Sequence, residues 1–198
     1  MTNKQISAKD KLITSGAILF SEKGFAGVSV REICKHAQTS ISMIHHYFKN
    51  KQGLLETIVD QFSAKTFALP MQLLSTQLHG KEEFQSRIEM LFEATLDVFI
   101  NEREILLVVI REKPTNTSYL EFQKCFVSFI KGAQKKGFVR KELDASMISG
   151  FMLDRLLNQV LFAPQIKQDF GSDLLGDPVY KKDWYLSNLD ILFNGMLS

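Results

Sequence analysis

Apolar residues recur along this chain at spacings of three and four, and nowhere do they alternate with polar ones for long enough to make a strand, so the pattern predicts helices throughout. Ile13, Ala17 and Phe20 make one stripe over Ala8 to Lys23, and Gly24 follows where a left-handed residue commonly ends a helix. Ser29 and Glu32 stand three apart ahead of Ile33, the spacing of a capping box in which hydroxyl and carboxylate each take the other residue's amide. A short helix therefore begins at Ser29 and buries Ile33, Cys34 and Ala37. Gln38, Thr39 and Ser40 are turn and cap residues, and a third helix runs from Ser40 to Phe48. Lys49, Asn50 and Lys51 break the pattern. Leu54, Leu55, Ile58, Val59 and Phe62 then carry a longer helix expected to stop near Pro70.

Five further helices are expected at Lys81 to Asn101, Glu102 to Lys113, Ser118 to Lys136, Ala145 to Ala163 and Tyr180 to Leu197. The fold class is all-α, with about nine helices arranged as a three-helix domain over 1–50 and a helical domain over 51–198. Ile105 to Ile110 is apolar on every side, so its helix is expected to be covered all round. Gln165 to Val179, with Gly171, Gly176 and Pro178, reads as the one long loop.

Composition narrows the classes. No apolar run reaches the length of a membrane span and the first fifteen residues are polar, so no membrane partner and a cytoplasmic location are expected. Cys34 and Cys125 have no metal-ligand or disulfide spacing. His45 and His46 are adjacent, and side chains one position apart diverge by about 100° on a helix, so neither a metal nor a cofactor is expected. The formal net charge of +2 hides an asymmetry: residues 1–60 hold eight Lys and Arg against five acids, or +3, and the remainder 16 against 17, or −1. A basic head on a neutral body is compatible with a polyanionic partner.

Two short helices joined by a three-residue turn, the second bearing Ser and His on its outer side and followed by Lys, have the form of a helix-turn-helix. Ser29 and Glu32, Ile33 and Ala37, the turn Gln38 to Ser40, then His45, His46, Tyr47 and Phe48 ahead of Lys51 and Leu54, resemble the TetR family of repressors over roughly residues 8 to 60. Gln38 stands at the family's usual turn Gly, Ser42 at a frequent Gly and His45 at a customary Tyr. The resemblance implies a base-facing surface of Ile41, Ser42, Met43 and His46 starting from the cap residue Ser40, with Arg31 reaching from the preceding helix. It assigns phosphate contacts to His45, Tyr47 and Lys51. Elementary chemistry agrees for Lys51, which opens the fourth helix, and for Arg31, whose guanidinium can take guanine O6 and N7 together.

The carboxy-terminal part offers candidates for a sensing site in Phe62, Phe92, Thr95, Phe99, Phe122, Phe126 and Met152, which as a group would line an apolar cavity. Asp154, Arg155 and Asn158 interrupt an otherwise apolar helix; they pair across a dimer interface, orient a ligand or mark a wet edge. The last helix is apolar on more than one side, which a two-fold dimer resolves, with Leu157, Leu161, Leu189 and Phe193 as interface candidates. The expected function is a transcriptional regulator that is not an enzyme: a homodimeric repressor released from a palindromic double-stranded operator by a small, largely apolar effector. The alternatives are a regulator acting through a protein partner, or a ligand-binding protein or enzyme with a vestigial helix-turn-helix. Against an enzyme, the sequence has no Gly-rich phosphate loop and no nucleophile arrangement.

Overall fold

The computed structural model describes residues 6–112 and 117–196. Among them are ten α-helices and no β-strand: α1 Ala8–Lys23, α2 Val30–Ala37, α3 Ile41–Phe48, α4 Lys51–Ser75, α5 Lys81–Asn101, α6 Arg103–Glu112, α7 Thr117–Lys135, α8 Ala145–Leu161, α9 Ala163–Phe170 and α10 Pro178–Met196. The all-helical reading holds. No helix of the described residues is long and apolar enough to cross a membrane. Lys113, Pro114 and Leu197, where expected helices end or break, lie outside the described residues.

Two compact units emerge, one of Met1–Ala64 with Glu104–Asn116 and one of Lys65–Arg103 with Thr117–Ser198. The expected division at residue 50 is not where the first unit stops; it continues along α4 and takes in α6. Its core gathers Leu12 and Phe20 of α1, Ile33 of α2, Ile44 of α3, Leu54 and Ile58 of α4, and Val108 of α6, all without solvent exposure. Burial of so many branched and aromatic side chains is the main force holding these helices together, at roughly 1.5–3 kcal/mol for each large one. Gly24 ends α1 at φ 73°, its N–H returning to the Phe20 carbonyl at 2.9 Å. The turn that follows is gripped by α6: the Phe25 N–H donates to Glu112 Oε1 at 2.8 Å, and Arg111 Nη1 donates to the Ser21 carbonyl at 3.0 Å.

In the second unit α8 packs against α5 and α7. Its core is dense in aromatic rings, with Phe67 stacked on Phe122 at 4.8 Å, Phe84 on Phe129 at 5.5 Å and Phe92 on Trp184 at 5.8 Å between ring centres.

Three expectations are corrected. α4 does not stop near Pro70 but passes through it to Ser75, the last turn burying Leu74 against the loss of the one backbone donor the proline lacks. The loop expected from Gln165 contains α9, opened by Pro164 in its first turn and closed by Gly171 at φ 82°. α6 is not covered all round: Leu106 and Val108 are buried while Ile110 is 37% exposed, since an unbroken apolar run hides which face is inward.

Candidate nucleic-acid interface

α2 and α3 present a surface whose shape is set from the sequence upward. Ser29 caps α2, its hydroxyl accepting the Glu32 N–H at 3.2 Å while Glu32 Oε2 accepts the Ser29 N–H at 2.8 Å. That backbone bond, followed by the Ser29 hydroxyl and the Lys23 ammonium, draws the Glu32 carboxyl down to about 2. The box fixes where α2 begins, and so where Arg31 leaves it.

The turn between the helices depends on Gln38, which adopts the left-handed region at φ 53°, ψ 47°. Its N–H bonds the Cys34 and Lys35 carbonyls, and the Thr39 N–H reaches Cys34 O at 2.9 Å. Ser40 occupies the N-cap of α3 without capping it; its hydroxyl lies 2.6 Å from that of Ser42. Ile44 and Phe48 bury the inner side of α3, which leaves Ile41, Ser42, His45, His46 and Tyr47 exposed, together with Ser40 before it. Arg31 is also exposed. Met43 is half-buried and packs against the core of the first unit, so only part of it is available to a partner.

The far end of α3 carries three details that the sequence did not reveal. His45 Nδ1 lies 2.9 Å from the Lys49 carbonyl, and Lys49 itself has φ 67°. Asn50 Oδ1 accepts the Gly53 N–H at 2.9 Å and so caps α4. A Cβ on Gly53 would stand 2.0 Å from the Phe48 carbonyl oxygen, so only glycine lets α4 start this close to α3.

Lys51, expected at a phosphate, is half-buried, and its ammonium donates to the Phe25 and Val28 carbonyls at 2.8 Å each while lying 4.2 Å from the centre of the Phe25 ring. Two of its three N–H groups are thus committed to the α1–α2 turn, leaving one for another acceptor. Neither Lys35 nor Lys49, both exposed, has such a commitment among the described residues.

The sensing candidates are all buried. Phe62 belongs to the first unit, while Phe92, Thr95, Phe99, Phe122, Phe126 and Met152 belong to the second. Phe122 stacks on Phe67 and meets Phe126, so these rings fill space among themselves. The Thr95 hydroxyl and the Trp184 Nε1 are buried without a hydrogen-bond partner among the described residues. Arg155 Nε donates to Asn188 Oδ1 at 2.8 Å and Asn158 Nδ2 to the Asp154 carbonyl at 2.7 Å, so these polar groups of α8 find partners at its exposed edge. Of the interface candidates, Leu189 is buried within the chain and Leu157, Leu161 and Phe193 are half-buried. The apolar side chains that α8 and α10 leave exposed are others, among them Met147, Phe151, Val179, Leu186 and Ile191.

Comparison with known proteins gives concordant matches. The sequence profile described as bacterial regulatory proteins, tetR family, matches residues 12–58. The chain is 30% identical over 185 residues to the probable HTH-type transcriptional regulator YttP of Bacillus subtilis, covering 86% of this chain and 83% of that protein. It is 24% identical over 189 residues to the HTH-type transcriptional repressor KstR2 of Mycolicibacterium smegmatis, covering 86% and 90%. Among solved structures, the ketosteroid transcriptional regulator KstR2 of Mycobacterium tuberculosis superposes with a TM-score of 0.74 at 17% identity, over 100% of this chain and 97% of that one. The TetR family regulator PfmR of Thermus thermophilus gives 0.71 at 15% identity, over 96% and 97%.

Proposed function

The chain belongs to the TetR family and is a DNA-binding transcriptional regulator, and from that premise we propose that it acts in the cytoplasm as a homodimeric repressor whose α3 helices enter successive major grooves of a palindromic operator. The observation that carries this reading is the division of α3 into a buried side, Ile44 and Phe48, and an outer side of Ile41, Ser42, His45, His46 and Tyr47. Ser42, His46 and the exposed part of Met43 are set against base edges, with Arg31 reading a guanine from α2. Ser40, His45, Tyr47 and the remaining N–H of Lys51 position the phosphates.

Dimerisation through α8 and α10 supplies the second recognition helix. Met147, Phe151, Leu186 and Ile191 would be covered by it, and an apolar set of this kind left in water favours association. An effector with a largely apolar body and a polar group releases the operator by binding the second unit. Two buried and unsatisfied groups there, Thr95 Oγ1 and Trp184 Nε1, are what a polar atom of such a ligand would satisfy. The effector must favour the released form by about a hundredfold, or about 2.7 kcal/mol, to change occupancy substantially.

The test is an electrophoretic mobility shift with duplexes from the DNA flanking the coding region. A shifted band that survives non-specific competitor and is lost in Arg31→Ala combined with Ser42→Ala supports the reading. Specific binding unchanged in that double variant removes α2 and α3 as the reading surface.

A further inference from the structure

α7 and the segment after it carry the most concentrated charge of the second unit. Residues 121–144 contain six Lys and Arg against three acids. One of those acids, Asp144, is occupied as the N-cap of α8, accepting the Ser146 and Met147 amides at 2.8 and 2.9 Å. Lys124, Lys131, Lys135 and Lys141 are exposed and enter no hydrogen bond or ion pair among the described residues. The Lys131 charge also acts on the Asp144 carboxylate and helps hold its pKa down, and the cationic excess of the four lysines together raises the local concentration of anions.

These lysines line a relief of adjoining clefts. One, of about 440 Å³, is bounded by Gln123, Lys124, Val127, Lys131 and Ser146, beside the α8 N-terminus whose amides the Asp144 carboxylate already occupies. A second, of about 350 Å³, lies between Lys131, Gln134, Lys135 and Lys141. Lys131 belongs to both. On the other side of Ser128 is a third cleft of about 490 Å³, walled by Leu74, Leu78, Cys125 and Phe129, with Ser75, Thr76, Gln77 and Lys136 at its polar margin. Ser128 is shared between this partly apolar cleft and the first cationic one, and its small side chain makes a low sill between them.

We propose that this surface binds a small amphiphile with a phosphate head: the head among Lys131 and its neighbouring lysines, the apolar body across Ser128 toward Leu74 and Phe129. Lysines suit a phosphate because each ammonium is a compact charge that can approach any of the oxygens. The site lies outside the buried Phe-rich region assigned to the effector above, and its occupancy can be measured without DNA.

The experiment is calorimetric titration of the full chain with three probes: octyl phosphate below its micellar concentration, inorganic phosphate, and octyl glucoside. Octyl phosphate is expected to bind at least about tenfold tighter than either comparator, since it alone uses both parts of the site. Lys131→Ala weakens it about tenfold and Lys131→Arg restores most of the loss. Gly132 lines the apolar cleft, and a Cβ there meets nothing within 4 Å, so Gly132→Leu fills the cleft without disturbing the core. That variant loses the advantage of octyl phosphate while inorganic phosphate binds as before. The proposal is overturned if octyl phosphate binds no better than octyl glucoside, or if Lys131→Ala leaves it unchanged. It is equally overturned if a scrambled duplex displaces it and shows the same dependence on Lys131, which would make this face a general polyanion surface. Should a variant lose its helical circular dichroism, the ranking of the three probes on the parent chain still decides.

Discussion

The imidazole Nδ1 of His45 is 2.9 Å from the carbonyl oxygen of Lys49, an atom that can only accept. In the neutral ring, therefore, Nδ1 holds the proton and Nε2 has a lone pair. A phosphate facing that lone pair is repelled, whereas a ring protonated on both nitrogens offers it a donor and a charge.

His45→Tyr places a hydroxyl donor where the neutral ring offers a lone pair, so operator affinity is expected to rise several-fold. Fluorescence anisotropy at constant ionic strength checks this beside His46→Gln, which should show no such gain. Affinity unchanged or lowered in His45→Tyr would remove this position as a phosphate contact.

Lys51 carries a double expectation. Removing its ammonium strips the Phe25 and Val28 carbonyls of their shared donor, so Lys51→Ala should lose about 2 kcal/mol of stability in addition to weakening DNA binding. Thermal denaturation without DNA separates the two effects. An unchanged melting temperature alongside weakened binding would make Lys51 a phosphate contact and nothing more.

Gln38 is held in the left-handed region, where a Cβ is disfavoured, and glycine escapes that cost while losing more freedom on folding. The balance should leave Gln38→Gly more stable by about 0.5–1 kcal/mol, read as a higher denaturant midpoint at unchanged slope.

Glu32 ties acid stability to the start of α2. Its carboxyl titrates near 2 in the folded chain against an ordinary 4.5, so its contribution is complete above about 4.5 and is lost as the pH falls through 2. Denaturation of Glu32→Gln should show a smaller loss of stability than the parent over that window. Equal losses in the two proteins would place the acid sensitivity elsewhere.

The dimer is tested by contrasting an exposed residue with a buried one. Phe151→Lys should give folded monomers in sedimentation, because Phe151 is 50% exposed in the single chain. Leu189→Lys, with its charge forced into the chain's own interior, should unfold instead. If Phe151→Lys still sediments as a dimer, the contacts lie on another face.

How far the sequence could be read follows from what each segment signals. α1, α2 and α3 were legible because their stripes are bounded by explicit punctuation: Gly24, the Ser29 and Glu32 pair, and the polar turn at Gln38. α9 was missed because it buries only Ala163 and so has no stripe; Pro164 and Gly171 at its ends were the available signal. At the interface, the exposed set on α3 follows from where Ile44 and Phe48 turn inward. The inward commitment of Lys51 does not, since its partners Phe25 and Val28 are distant in sequence and offer only backbone carbonyls. On α10, apolar character alone could not tell Leu189, which faces the chain's own core, from Ile191, which faces out.

The grip of Arg111 and Glu112 on the turn after α1 bears on how such proteins can be recombined. A chimera that joined residues 1–50 to a foreign body would carry the reading surface but leave the Phe25 amide and the Ser21 carbonyl without their partners, and the core around Phe20 without Val108. The transplantable piece is discontinuous in sequence. Swapping operator preference between relatives therefore calls for moving α6, or at least its last turn, with the head it braces.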